Sequence, residues 1–148
     1  MTLGQQIFWG GVTMGLCLFI ETVFLVWATT IMRRIAQRLS DARPSVETGT
    51  LILTALVFIL LAHTSQIAIW SWVWLRNDAL ADWNEAVYFS LVTYTTVGYG
   101  DITLDPGLRV FGTFAGVAGV LGFGISSAFL IALMSRLLQD RLFPGSGG

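Results

Sequence analysis

The chain is poor in the residues on which most protein chemistry relies. Its 148 residues include one histidine and one cysteine, and no lysine at all. A single histidine, His63, leaves no metal-ligand cluster and no nucleophile–base pair at a credible spacing, so an enzyme reading does not survive. A single cysteine, Cys17, excludes an intrachain disulfide. Lying in an apolar run, it reads as a small packed or lipid-facing side chain. Without lysine, every positive side chain is an arginine, and a formal net charge of −1 leaves no basic face for nucleic acid. Charge of either sign is scarce, at 11%, while 55% of residues are hydrophobic. That balance describes a small integral membrane protein.

What is abundant is apolar sequence in long runs. Ile7 to Met32 forms the first, and residues 1–32 are expected to be a membrane helix. No charged side chain precedes the run, and Arg33, Arg34 and Arg38 follow it. A secretory signal carries its charge in front and ends in a small-residue cleavage site, so this is a true span. Its N-terminus is expected outside and its C-terminal end in the cytoplasm of a cell-membrane protein. Residues 33–49 form a cytoplasmic loop in which Arg33, Arg34, Arg38 and Arg43 outnumber Asp41 and Glu47. The helix has the periodicity to continue into this loop until Pro44 stops it. The arginines suit anionic lipid, although topology alone also accounts for them.

Residues 50–75 are expected to form the second span, ending outside among Trp70, Trp72 and Trp74 as a membrane-interface belt. Asp82 then reads as a helix N-cap with Glu85 as its capping partner. The helix it starts, 83–94, is too short to cross a bilayer and is expected to be re-entrant. Its negative C-terminal end would favour a cation beyond it. The last span, 108–138, ends at Arg136 and Arg141, and residues 139–148 look like a short flexible tail.

The stretch between the short helix and the last span is Thr95-Thr96-Val97-Gly98-Tyr99-Gly100-Asp101. A dehydrated cation needs oxygen ligands in place of water. Successive carbonyls supply them only if they point one way, which requires alternating left- and right-handed backbone. Glycine adopts the left-handed state most cheaply. Gly98 and Gly100 stand at that spacing. The carbonyls of Thr96, Val97, Gly98 and Tyr99, with the Thr96 hydroxyl, would then face one axis. Val97 and Tyr99 would wedge the segment against its surroundings.

TTVGYGD resembles the selectivity filter of the potassium channel pore-loop family. The resemblance spans roughly residues 50–138 and is strongest over 88–101, YFSLVTYTTVGYGD. It implies an all-α membrane fold: three transmembrane helices with a re-entrant pore helix and filter loop. It also implies a homotetramer, because four copies must surround one ion. Residues 50–75 become the outer helix, 83–94 the pore helix, 95–101 the filter and 108–138 the inner helix. Potassium ions would bind at Thr96, Val97, Gly98, Tyr99 and Gly100, with Thr95, Asp101, Tyr88 and Val92 as filter support. Val120, Phe123, Ser127, Ile131 and Met134 would line the cavity and gate. Gly119, with Gly122 and Gly124 as alternatives, would be a hinge. The implied function is passive, selective K⁺ conduction without a cofactor. The alternatives are a weakly selective cation channel, or a non-conducting subunit of a potassium uptake system. Some family members carry a glutamate where this chain has Val92, so Asp101 lacks that partner, and tryptophans where it has Tyr88 and Phe89. No helix carries arginine at every third position, so a voltage sensor is absent.

Glu21 and His63 sit in mid-membrane, where ionisable groups are expensive unless paired. Glu21 is 13 residues from Phe8 and His63 12 from Leu75. At about 1.5 Å per residue both lie roughly 18 to 20 Å deep, so antiparallel helices would place them at one level. A Glu21–His63 contact would fix the first helix against the pore, and would also sense protons. Alternatively each is satisfied separately, by Thr64, Gln66 or a backbone carbonyl.

Overall fold

The computed structural model describes residues 1–39 and 44–142. They form four helices: α1 (Leu3–Arg38), α2 (Pro44–Arg76), α3 (Trp83–Tyr94) and α4 (Arg109–Leu142). Three of them, α1, α2 and α4, are long and apolar enough to cross a membrane. α1 packs on both α2 and α4, and α3 lies between α2 and α4.

The long helices overrun the apolar segments. α1 continues past Met32 to Arg38, as the periodicity of the following residues allows, α2 starts at Pro44 instead of residue 50, and α4 continues to Leu142 instead of 138. Pro44 therefore opens a helix rather than closing one, as proline's fixed φ and missing N–H allow at a first turn. The 36 residues of α1 span about 54 Å, well beyond a hydrocarbon core of about 30 Å. Hydropathy marks where lipid stops, whereas the helix continues through polar residues that carry no breaker. Arg43 and residues 143–148 of the expected tail lie outside the described residues.

α1 is closed at its start by a capping box. Thr2 Oγ1 accepts from Gln5 N, and Thr2 N donates to Gln5 Oε1 at 2.9 Å. Its buried stripe is Gln6, Gly10, Cys17, Glu21, Leu25, Ala28 and Met32. Small and polar groups face the neighbouring helices, while Phe8, Phe19 and Trp27 point away. In lipid, apolar bulk gains nothing by turning inward, and close approach decides the interface.

Trp70 and Trp74 do not form a membrane-interface belt. Both are fully buried and stacked at 5.3 Å between ring centroids, and both pack on Phe111 of α4. Residues four apart share a helix face, so 70 and 74 point inward together and Trp72 points out. Trp72 is exposed, with Arg76 over its ring at 5.8 Å. Trp74 Nε1 donates to Ser90 Oγ of α3 at 3.0 Å, and Ser71 Oγ donates to the same oxygen at 3.0 Å. These bonds hold the short helix against α2.

α1 also finishes the start of α4. A helix leaves its first amides without partners. Gln6 Oε1 accepts from Val110 N at 3.1 Å and Phe111 N at 3.3 Å. At the opposite end of the bundle, Ala28 and Met32 of α1 pack with Leu51 and Ala55 of α2, and Phe129 and Leu133 of α4 close over them.

Candidate functional site

α3 begins at its Asp82 cap, whose Oδ1 accepts from Glu85 N at 2.9 Å. The Glu85 carboxylate reaches back one residue further than a capping box requires, accepting from Ala81 N at 2.9 Å. The helix stops at Tyr94, and its terminal carbonyls turn the chain. Val92 O accepts from both Val97 N at 3.0 Å and Gly98 N at 3.2 Å, and Thr93 O accepts from Thr96 N at 3.0 Å. Val92 thus supports the loop through its backbone.

From there the backbone alternates. Thr96 has φ +59°, Gly98 φ +55° and Gly100 φ +78°, with no positive φ at Val97 or Tyr99 between them. Gly98 and Gly100 are the residues for which this state is cheap. Thr96 is a β-branched residue in the same state, which costs about 1–3 kcal/mol and persists only where surrounding structure imposes it. The Val92 and Thr93 carbonyls holding the amides of residues 96 to 98 supply that constraint. Val97 and Tyr99 are 52% and 72% exposed, so among the described residues nothing wedges them.

Tyr88 Oη donates to Asp101 Oδ2 at 2.6 Å, and Asp101 Oδ1 accepts from Ile102 N at 3.0 Å. Asp101 therefore has a partner, one helical turn earlier on α3 than Val92. The Tyr88 hydroxyl holds the Asp101 carboxyl below its usual pKa, and the same bond raises that of Tyr88. Phe89, on the other side of α3, packs edge-on against Trp74 at 5.6 Å.

Behind Tyr94 lies a buried polar cluster. Glu21 of α1 accepts from Gln66 Nε2 of α2 and from Ser126 Oγ of α4, each at 2.5 Å. Tyr94 Oη donates to Gln66 Oε1 at 3.1 Å and lies 2.8 Å from His63 Nδ1. Ser126 Oγ lies 3.2 Å from His63 Nε2. Glu21 and His63 approach to 3.9 Å at Oε2 and Nδ1, a charge-pair distance rather than a hydrogen bond. Their hydrogen bonds run through Gln66, Tyr94 and Ser126.

On α4 the expected cavity stripe, Val120, Phe123, Ser127, Ile131 and Met134, is exposed. Phe123 turns partly inward, 4.7 Å from the His63 ring and 5.7 Å from Tyr94. The opposite face, Phe111, Ala115, Ala118, Gly122 and Ser126, is buried. The glycines divide in the same way. A Cβ on Gly119 would run into the Tyr94 carbonyl, and one on Gly122 would come within 3.0 Å of the Tyr94 hydroxyl. A Cβ on Gly124 would meet nothing within 4 Å among the described residues outside its own helix turn. α4 is unbroken through all three.

A family model described as "Ion channel" matches residues 49–136, more than half of the chain. The chain belongs to this ion channel family. No curated protein and no solved structure matches it. The channel-family segment begins within α2 and contains α3, the 95–101 loop and most of α4. α1 lies wholly outside it, yet supplies Gln6 and Glu21 to the structure of the channel segment. Gln6, Tyr94 and Ser126 carry functions of position that the one-dimensional pattern does not signal. Gln66 is legible only as one of several possible partners. The sole cue to Tyr94 is a polar aromatic at the last turn of α3, and to Ser126 a serine on the glycine face of α4.

Proposed function

We propose that this ion channel family member is a potassium-selective channel that conducts K⁺ passively as a homotetramer. The observation that carries the reading is the alternation of positive φ at Thr96, Gly98 and Gly100 in an exposed loop. Alternating hand turns successive peptide carbonyls toward one side. Those of Thr96, Val97, Gly98 and Tyr99, joined by the Thr96 hydroxyl, then form a ladder of oxygens along one edge of the chain. A cation stripped of water needs such ligands from all round, and one chain supplies one quarter of the ring. Exposed Val97 and Tyr99 supply apolar surface for neighbouring copies to cover. Val120, Phe123, Ser127, Ile131 and Met134 would then face the axis below the ring.

In the membrane, the end bearing Met1 and residues 95–109 faces outside, and Arg33, Arg34, Arg38 and Arg136 lie at the cytoplasmic surface, by the positive-inside rule. Arg33 and Arg136 edge a cleft of about 350 Å³ lined by Met32, Leu51, Phe129 and Leu133. Anionic phospholipid, with its phosphate on the arginines and an acyl chain in the cleft, fits that chemistry.

The deciding experiment is flux from purified protein in liposomes, comparing K⁺, Rb⁺ and Na⁺ with Ba²⁺ as blocker. Passage of K⁺ and Rb⁺, exclusion of Na⁺ and block by Ba²⁺ are expected. Equal Na⁺ passage would replace the reading with a weakly selective cation channel. No flux at any pH or lipid composition would favour a non-conducting subunit.

A further inference from the structure

Five side chains from four helices close a hydrogen-bonded ring: Glu21 of α1, Gln66 and His63 of α2, Tyr94 of α3 and Ser126 of α4. All five are at least nine-tenths buried. Tyr94 is both the last residue of α3 and the neighbour of Thr95, so the ring grips the foot of the 95–101 loop.

The proton accounting of the ring is restrictive. Tyr94 has one hydroxyl proton, donated to Gln66 Oε1, so His63 Nδ1 must carry a proton and donate it to Tyr94 Oη. Gln66 gives an amide proton to Glu21. Two arrangements then satisfy every link. In one, an imidazolium donates from Nε2 to Ser126, and Ser126 donates to the Glu21 carboxylate. In the other, a protonated Glu21 donates to Ser126, and Ser126 donates to Nε2 of a neutral imidazole. They hold the same number of protons and interconvert by shifting two of them across Ser126 Oγ. With one proton fewer, Ser126 has a single proton for two acceptors and one link is lost. With one more, Ser126 receives two donors and its own proton has no acceptor. Only the first count is neutral, and buried charge or an orphaned donor is costly. Around the ring, α1 brings Glu21 and Cys17, α2 His63 and α3 Tyr94. Among the described residues α4 brings no titratable group here, only Gly122, Phe123 and Ser126.

We infer that Glu21, on the helix outside the channel-family segment, is a positioning residue for the 95–101 loop, acting through Gln66 and Tyr94 within a ring that closes at one proton count. The inference rests on the channel reading for its consequence, selectivity, and on geometry alone for the positioning. Glu21→Gln mimics the neutral arrangement. Its amide donates to Ser126, its carbonyl accepts from Gln66, and all five links survive. Glu21→Ala removes two links, and Tyr94→Phe cuts two others while keeping the ring that packs on His63 and Phe123.

The test measures K⁺ over Na⁺ permeability in liposomes, together with amide hydrogen exchange over residues 94–98, in wild type, Glu21→Gln, Glu21→Ala, Tyr94→Phe and the Ala/Phe double variant. Glu21→Ala and Tyr94→Phe are each expected to lower the ratio by about tenfold or more and to speed exchange. The double variant should be no worse than either, because both open one ring. Glu21→Gln should keep the wild-type ratio, because its amide and carbonyl preserve all five links. The inference is overturned if Glu21→Ala leaves ratio and exchange unchanged, if Gln fails as badly as Ala, or if the two effects simply add. Should Glu21→Ala not fold, Tyr94→Phe decides by the same two readouts. A wild type that passes no K⁺ sinks the channel reading alone, and the exchange data still decide whether Glu21 positions the loop.

Discussion

The Tyr88 hydroxyl donates to the Asp101 carboxylate at 2.6 Å, joining the middle of α3 to the far end of the loop that α3 launches. The bond joins residues 13 apart in sequence and closes an arc that contains Thr96, Gly98 and Gly100. Val92 O ties the near end of that arc through the amides of Val97 and Gly98. The alternating segment is thus pinned at both ends by one short helix, and its strained Thr96 is held between the pins.

The Tyr88–Asp101 link should be indifferent to pH across the physiological range. Tyr88 lowers the Asp101 pKa, so the link's contribution is complete above the unfolded carboxyl value of about 3.9 and fades only as pH falls through the lower folded value. The Tyr88 pKa is raised, so its share is complete below about 10 and fades as pH rises through the folded value. Tyr88→Phe should return Asp101 toward the ordinary carboxyl pKa and loosen residues 99–102. Carboxyl-carbon NMR titration of Asp101 in both proteins checks this. An unchanged Asp101 pKa in Tyr88→Phe would mean the bond does not form in solution.

Gly119 and Gly124 should respond oppositely to alanine. At Gly119 the new methyl meets the Tyr94 carbonyl, so α4 must move off α3. A loss of about 1–3 kcal/mol is expected, read as a fall in thermal midpoint. At Gly124 the methyl meets open space and favours helix, so stability should hold or rise by up to about 1 kcal/mol. Conduction in Gly124→Ala then reports on bending alone. A hinge there would show as reduced opening in an otherwise intact protein, and unchanged gating would remove Gly124 from that role.

Gln6→Leu should weaken the start of α4 without touching the loop. It leaves the Val110 and Phe111 amides without their acceptor. Loss of such a cap costs about 0.5–2 kcal/mol. Amide exchange at residues 110 and 111 should accelerate while exchange at Val97 and Gly98, which bond Val92 O, stays slow. Uniform acceleration would show instead that the α1 contact stabilises the whole bundle.

The helical class and the three spans were legible because hydropathy over a long run is a strong, local signal. So was the cap at Asp82, whose partner is three residues away. The chain's own chemistry at Gly98 and Gly100 also pointed to positive φ, whereas Thr96 did not, since nothing in threonine's intrinsic preference predicts it. Glu21 and His63 stood out as misplaced charge, and depth put them at one level. Of their actual partners only Gln66 was in view, as one of several choices. Ser126 is 105 residues from Glu21 and Tyr94 is 28 from Gln66, and only the rotation of each helix about its axis decides that they meet. The tryptophans failed for the same reason. A belt and a buried stack have one composition and differ only in facing, which Trp70 and Trp74 share and Trp72 does not.

Potassium should hold the assembled protein together. If four 95–101 loops form an oxygen ring, its carbonyls repel one another until a cation sits among them. A ligand that binds only the assembly stabilises it by about 2.7 kcal/mol at a hundredfold excess over its dissociation constant. Replacing K⁺ by Na⁺ should therefore lower the thermal midpoint of the detergent-solubilised protein, and Rb⁺ should restore it. Native mass spectrometry across the same salts should show tetramer giving way to monomer as K⁺ is withdrawn. Gly98→Ala is the control. An L-residue at φ +55° is strained by about 1–2 kcal/mol, so the ring should form poorly and the K⁺ effect should shrink. A midpoint equally high in Na⁺ and K⁺, with or without Gly98, would mean that exposed Val97 and Tyr99 assemble by packing alone and that no cation site organises the loop.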